Sequence, residues 1–267
     1  MGRNVLITGA SRGIGAAIAL AFAKQGDNIG INYLYDDDGA KAICEQVRSF
    51  GVRANIYKAD VGNAKDVESM FKQYLKDFNT IDVLVNNAGG GLKIPDGGFE
   101  KMPLSYWDEM IALNLSAAAY CAHYAVINMI ENGIQGSIIN ISSVHSVITY
   151  VKRKTFPYCA GKAGLNMFTK TLGVDVIKHG IHVNAIAPGF ISTSATTRYN
   201  EEELNAFLRK IPAGHLGKVD DITPMVLFLA DPDKSGFIVG QTFVIDGGQS
   251  IDGTIDYMLQ EETRASI

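Results

Sequence analysis

The chain has 267 residues, a formal net charge of -4, and 47% hydrophobic against 19% charged side chains, a balance that fits one large globular domain. An acidic total without an extended basic stretch argues against binding nucleic acid through its phosphates. Three scattered cysteines, Cys44, Cys121 and Cys159, suggest neither a disulfide framework nor a zinc site, so we expect no metal and a reducing, cytoplasmic setting.

No signal sequence is read before the first strand-like run, and no apolar run is expected to approach the roughly 18 residues of a membrane span. Residues 5–7 are a short apolar run, followed by Thr8-Gly9-Ala10-Ser11-Arg12-Gly13-Ile14-Gly15 and an alanine-rich helical stretch to Lys24: strand, glycine turn, helix. A second strand is expected at 29–33, a helix at about 39–50, a third strand at 53–57 running into Asp60 and Val61, and a helix at 64–78. A buried strand at 81–85 leads into Asn86-Asn87-Ala88-Gly89, and a looser segment, 90–103, precedes a long helix through Trp107, Asn114 and Ala125. Then come a strand at 137–141, a polar loop, a helix carrying Tyr158 to His179, and a strand at 182–187 ending in Pro188-Gly189. A short helix at 201–210, a helix near 220–230 and a last strand at 242–245 complete the pattern. Strands alternating with helices imply right-handed crossovers and a parallel sheet covered on both faces.

Two constellations carry chemistry. Gly9, Gly13 and Gly15 offer a tight turn, close approach for a pyrophosphate and free amides at a helix start. Their spacing differs from G-x-G-x-x-G, so the glycines alone also fit a tight turn without a ligand; the strand-to-helix context favours a dinucleotide. Tyr158 and Lys162 lie four apart at a helix start and share one face. A phenol with an ordinary pKa of about 10 accepts protons poorly near neutrality unless a positive charge favours the phenolate, and Lys162 could supply that charge. Taken alone, the pair reads more simply as an amphipathic tyrosine beside a solvated lysine.

Thr8-Gly9-xxx-Gly13-Ile14-Gly15, Asn86-Asn87-Ala88-Gly89, Asn114, Ser143, Tyr158-xxx-Lys162 and Pro188-Gly189 occur in the order found in short-chain dehydrogenases/reductases. The chain resembles that family as far as Asp246-Gly247-Gly248. The resemblance implies an α/β fold, a Rossmann-type doubly wound sheet of seven mainly parallel strands in a single domain over residues 1–248. It also implies a bound NAD or NADP and hydride transfer between its nicotinamide and an alcohol or carbonyl. By the same resemblance Tyr158 is the general acid or base, Lys162 lowers its pKa and holds the nicotinamide ribose, and Ser143 bonds the reacting oxygen. Asn114 supports a water-linked proton path to the lysine. Residue type does not separate Ser142 from Ser143; the family pattern favours the second, and the loop between Ser143 and Tyr158 is longer than in many relatives.

Cofactor contacts carried over in the same way are Gly9, Ser11, Arg12, Gly13, Ile14 and Gly15 in the first turn, and Asp60 and Val61 at the adenine. Asn87, Ala88 and Gly89 form the supporting turn, Pro188, Gly189, Ile191 and Thr193 lie by the carboxamide, and Tyr158 and Lys162 complete the set. The acidic residue that would bind the adenosine ribose of NAD is missing, because Tyr33 holds its position. Arg12 could meet a 2'-phosphate, whereas Asp36-Asp37-Asp38 lies close by. We expect NADP, with NAD as the alternative.

The expected substrate is a small secondary alcohol, sugar hydroxyl or ketone, since parts of the chain resemble bacterial glucose 1-dehydrogenases. Other parts fit 3-oxoacyl-carrier-protein reductases, and a third reading is a dinucleotide sensor without turnover, against which the intact Asn114, Ser143, Tyr158 and Lys162 set argues. His145 is read as lining the pocket or facing solvent, Cys159 as packing in its helix, and the three aspartates as the N-terminal charge cluster of a helix. Lys152-Arg153-Lys154 is read as a solvated loop, with contact to an anionic group as the alternative. Family members commonly form homotetramers, and Ile255, Met258 and Leu259 fit one face of a short helix. The tail, 249–267, is therefore expected at a subunit interface.

Overall fold

Val5 and Ile7 pack towards one face of a strand and Leu6 towards the other, all three fully buried. A strand covered on both sides needs an unbroken apolar run, and the computed structural model, which describes residues 2–91, 98–149, 155–193, 196 and 199–251, places this one inside the sheet, with a strand on either side. In chain order the elements are β1 (Asn4–Ile7), α1 (Gly13–Lys24), β2 (Asn28–Tyr33), α2 (Asp37–Arg48), β3 (Ala54–Lys58), α3 (Ala64–Phe78) and β4 (Val83–Asn86). They continue with α4 (Leu104–Ile111), α5 (Ala117–Glu131), β5 (Ser137–Ile141), α6 (Phe156–Val176), β6 (His182–Pro188), α7 (Glu201–Leu208), α8 (Thr223–Leu229), α9 (Pro232–Ser235) and β7 (Thr242–Ile245).

The strand order is β3-β2-β1-β4-β5-β6-β7. Every pairing is parallel, where the sequence suggested mainly parallel strands. The order reverses between β1 and β4, and the crevice at the carboxyl ends of such a switch point is where open α/β sheets bind ligands. One face is covered by Ile18 and Phe22 of α1, Cys44 and Val47 of α2, and Val226 and Leu229 of α8. The other is covered by Met70, Phe71 and Tyr74 of α3, Cys121, Ala125 and Met129 of α5, and Val176 of α6. Each large apolar side chain buried there contributes about 1.5–3 kcal/mol.

Helix starts follow the chemistry of their caps. Asp36 accepts from the amide of Gly39 at 3.0 Å while Asp37 and Asp38 occupy the first turn, so α2 begins before its glycine and ends two residues earlier than expected. Asn63 accepts from the amides of Lys65 and Asp66 and starts α3 at the expected residue.

Five strands each carry one buried asparagine whose amide is tied down. Asn4 of β1 donates to the Phe78 carbonyl and the Thr80 hydroxyl. Asn32 of β2 donates to the carbonyls of Tyr57 and Ala59 and accepts from the amide of Gly9. Asn86 of β4 donates to Asn140 of β5 at 2.9 Å, which donates in turn to Thr169 of α6, also at 2.9 Å. Asn184 of β6 donates to Ile238 and accepts from Gln241.

The expected long helix is interrupted by a π turn, Ala112–Ser116, between α4 and α5. Leu104–Glu131 as a whole is long and apolar enough to cross a membrane, which corrects the expectation that no run reaches that length. Here Ala118, Cys121, Ala122, Ala125 and Met129 of that helix are packed into the protein's own core. The tail from residue 252 and Lys152-Arg153-Lys154 lie outside the described residues.

Candidate active site

The site is built at the carboxyl ends of β1, β4, β5 and β6. After β1, Gly9 and Gly13 adopt φ values of 62° and 60°, a conformation that glycine enters without strain. Gly15 is required for a different reason: a Cβ there would lie 2.5 Å from Asn87 Nδ2 and 2.6 Å from the Gly9 carbonyl oxygen. Ser11 precedes Arg12, an exposed residue at the N-cap of α1 whose side chain makes no capping hydrogen bond, while Ile14 packs against the core. A Cβ on Gly13 would touch only Thr193, at 3.7 Å, an ordinary van der Waals contact, so the turn lies directly beside the segment after β6. Glycine amides at a helix N-terminus opposite that segment form a cradle that fits the pyrophosphate and nicotinamide ends of a dinucleotide.

The turn after β4 is fastened to this loop. Thr8 Oγ1 accepts from the amides of Asn87 and Ala88, and Asn87 Nδ2 donates to the carbonyls of Thr8 and Gly9. Thr8 was read from the sequence only as part of the glycine motif, and Asn32, which accepts from the Gly9 amide and so steadies the same loop, was not among the candidate site residues; a polar side chain in an otherwise apolar strand was the available signal. Asp60, after β3, accepts from the amide of Gly62 at 2.9 Å, and Val61 is buried beside it. After β6, Gly189 donates to the Ile245 carbonyl, Ile191 pairs with Gly217, and the Thr193 carbonyl accepts from Thr196.

At the end of β2 the tyrosine is not presented on its own. Tyr33 Oη donates to Asp37 Oδ1 at 2.8 Å, and Lys58 Nζ lies 3.0 Å from Asp37 Oδ2. The Tyr33 hydroxyl, and then the Lys58 ammonium, hold the Asp37 carboxyl below its usual range, while the same bond raises Tyr33.

The chemistry-bearing set converges from three elements. Asn114 sits in the π turn; its Oδ1 accepts from the amide of Gly90 at 3.0 Å, and its Nδ2 donates to the carbonyls of Gly90 and Met110. A Cβ on Gly89 would lie 3.0 Å from both Asn114 Oδ1 and Lys162 Nζ, so these groups flank one point. Helix α6 reaches the π turn because Gly161 and Gly164 leave room for Asn114 and Leu115. Lys162 is buried, donates to the Ile141 carbonyl at 2.7 Å and lies 5.9 Å from the Tyr158 ring centre. Burial pushes its pKa from 10.5 down to about 8.

Ser143 and Ser142 part company here. Ser142 Oγ donates to Asn166 Oδ1 at 2.6 Å, away from the tyrosine. Ser143 Oγ accepts from the amide of His145 and lies 3.4 Å from its Nδ1, and the His145 ring meets the Tyr158 ring edge to face at 5.7 Å. His145 thus lines the Ser143 and Tyr158 site.

A seven-stranded parallel sheet with a glycine turn at its switch point and a tyrosine, lysine, serine and asparagine around the adjoining crevice defines a dinucleotide-dependent oxidoreductase. Comparison with known proteins agrees. The profile of a family described as "Enoyl-(Acyl carrier protein) reductase" matches residues 9–250. A 3-oxoacyl-[acyl-carrier-protein] reductase from Staphylococcus aureus is 37% identical over 248 residues, 93% of this chain and 98% of that protein. One from Synechocystis sp. is 38% identical over 243 residues, 91% of this chain and 95% of that protein. Among solved structures, a short-chain type dehydrogenase/reductase from Mycobacterium marinum superimposes with a TM-score of 0.86 at 29% identity, covering 94% of this chain and 96% of that one. An acetoin dehydrogenase from Salmonella typhimurium gives 0.86 at 31% identity, covering 96% and 98%. The chain belongs to the short-chain dehydrogenase/reductase family of oxidoreductases.

Proposed function

We propose that the chain is an NADP-dependent oxidoreductase interconverting a ketone and a secondary alcohol, sugar hydroxyls included, with Tyr158 exchanging the proton. The observation that carries this reading is Lys162, an ammonium buried to 3% exposure beneath Tyr158. Burying that charge opposes folding, so its retention there is explained by what it does for the neighbouring phenol.

The turn 9–15, Asp60, Val61, Asn87 to Gly89 and Pro188 to Thr193 would hold the dinucleotide, which when bound supplies or accepts the hydride. In reduction the Ser143 hydroxyl donates to the substrate carbonyl oxygen and Tyr158 gives that oxygen its proton. Lys162 stabilises the phenolate left behind, because an adjacent positive charge favours the charged form. In oxidation the phenolate takes the proton from the alcohol. Asn114 fixes the Gly90 backbone beside the lysine, and we assign it the support of a water-linked path that returns the proton.

Two features favour NADP over NAD. Arg12 offers an exposed guanidinium beside Gly13, and Asp37, the carboxylate that reaches the end of β2, is already engaged by Tyr33 and Lys58 rather than offered to ribose hydroxyls. The names of the curated relatives favour a second reading of the substrate, a 3-oxoacyl thioester on an acyl carrier protein; the chemistry at Tyr158 would be unchanged. We further propose a cytoplasmic homotetramer, supported by the unpaired thiols of Cys44, Cys121 and Cys159 and by exposed Leu104, Met167 and Val174 on α4 and α6. Initial rates with NADPH and NADH against sugars, polyols, cyclic ketones and 3-oxoacyl thioesters test the reading. Turnover of none of these sinks it.

A further inference from the structure

Tyr158 and Lys162 are followed on the same face of α6 by a third polar side chain, Asn166, again four residues on. Its amide lies within a one-way chain of hydrogen bonds. Ser142 Oγ donates to Asn166 Oδ1 at 2.6 Å, Asn166 Nδ2 donates to Ser146 Oγ at 2.8 Å, and Ser146 Oγ donates to the Ser143 carbonyl at 2.6 Å. Each hydroxyl gives its single proton once, so the directions are mutually consistent. Ser143 is therefore bracketed, with its predecessor and the residue three further on both fastened to one side chain of the helix that carries Tyr158. One turn earlier Lys162 fastens the same strand end through Ile141.

We infer that Asn166 is a positioning residue for Ser143, setting the loop that carries the serine in register with the tyrosine on α6. It touches neither substrate nor cofactor and acts only through the serine. The inference rests on the role proposed above for Ser143. A donor to developing charge must already be in place, and a misplacement of about 1 Å can cost about a hundredfold in rate. Releasing the bracket leaves the backbone bonds from Ser142 to Ile186 and from Ser146 to Ser143 in place but unties both flanks of Ser143 from Asn166 of α6, while Tyr158, Lys162 and the glycine turn keep their own supports.

The experiment is a double-mutant cycle on kcat/KM between Asn166→Ala and Ser143→Ala, with NADPH affinity read separately by fluorescence titration. Asn166→Ala is expected to lower kcat/KM by about tenfold with NADPH affinity unchanged, and to add less than about twofold when Ser143 is already alanine. Asn166→Asp, which keeps the acceptor for Ser142, should recover part of the loss. Should Asn166→Ala fail to fold, Ser146→Ala removes one link of the chain and is expected to show the same non-additivity. Wild-type kcat/KM in the variant, or an equal loss with and without the Ser143 hydroxyl, overturns the inference and leaves Ser143's role standing. Undiminished turnover in Ser143→Ala alone overturns that role, and the inference with it.

Discussion

Replacing Lys162 with methionine keeps most of the side-chain volume and removes the one ammonium buried to 3% exposure among the described residues. Burial lowers its pKa from 10.5 to about 8, so the unfolded chain holds this proton more tightly than the folded one. At about 1.4 kcal/mol per pH unit the displacement corresponds to about 3 kcal/mol opposing the folded state at pH 7. Losing the 2.7 Å bond to the Ile141 carbonyl returns about 1 kcal/mol, which leaves the variant more stable at pH 7 by about 2 kcal/mol. Between pH 8 and 10.5 the unfolded wild type binds the extra proton, so wild-type stability gains on the variant as pH rises, and the variant's advantage is gone above 10.5. Denaturant titrations of both proteins at pH 7, 9 and 10.5 measure the gap directly. Turnover of the variant should fall by about a hundredfold or more, although it is the more stable protein. A gap that stays constant across these pH values would refute the reasoning, because the lysine would then titrate alike folded and unfolded.

Tyr158→Phe should lower turnover by about a hundredfold or more while changing cofactor affinity no more than a few-fold, by steady-state kinetics and titration; near-normal turnover in a folded variant removes the proposed proton donor. Arg12→Ala should weaken NADP by about ten- to a hundredfold, the scale of a charge-assisted hydrogen bond, and NAD much less. Equal losses for both cofactors would make Arg12 a structural or solvent-facing residue. Gly89→Ala brings a methyl to 3.0 Å from both Asn114 Oδ1 and Lys162 Nζ, and should cost about 1–3 kcal/mol in denaturant stability together with much of the turnover. A variant matching the wild type in both would show that these two groups yield freely.

What could be read from the residues was what local chemistry decides. The strands at 137–141 and 242–245 and the helix at 64–78 fall at their expected residues, because apolar runs meet clear boundaries and Asn63 caps the helix. The order of motifs likewise announced the glycine turn and the Asn114, Ser143, Tyr158 and Lys162 set. The π turn was not legible, since Ala112 to Ser116 fit an ordinary helix and only packing against Gly161 and Gly164 of α6 accompanies the wider turn. Nor was the fate of Tyr33, whose partners Asp37 and Lys58 come from the next helix and the neighbouring strand. Ser142 and Ser143 are alike in type and become distinct only when Asn166, more than twenty residues on, claims the first.

The buried asparagines bear on a problem peculiar to sheets of this kind. A strand with one wet face has its alignment fixed by alternation, because a slip of one residue turns its apolar side outwards. Val5, Leu6 and Ile7 of β1 and Val83, Leu84 and Val85 of β4 present aliphatic side chains to both faces, so sliding these runs would exchange one aliphatic contact for another at little cost. The amides of Asn4, Asn32, Asn86, Asn140 and Asn184 remove that degeneracy. Each finds its partners in one alignment only, and each donor or acceptor stranded by a slip would cost about 1–3 kcal/mol. Asn86 and Asn140 face each other across neighbouring strands and bond directly, so the ends of β4 and β5, from which the Asn87 turn and the Ser143 loop depart, are keyed to the same level.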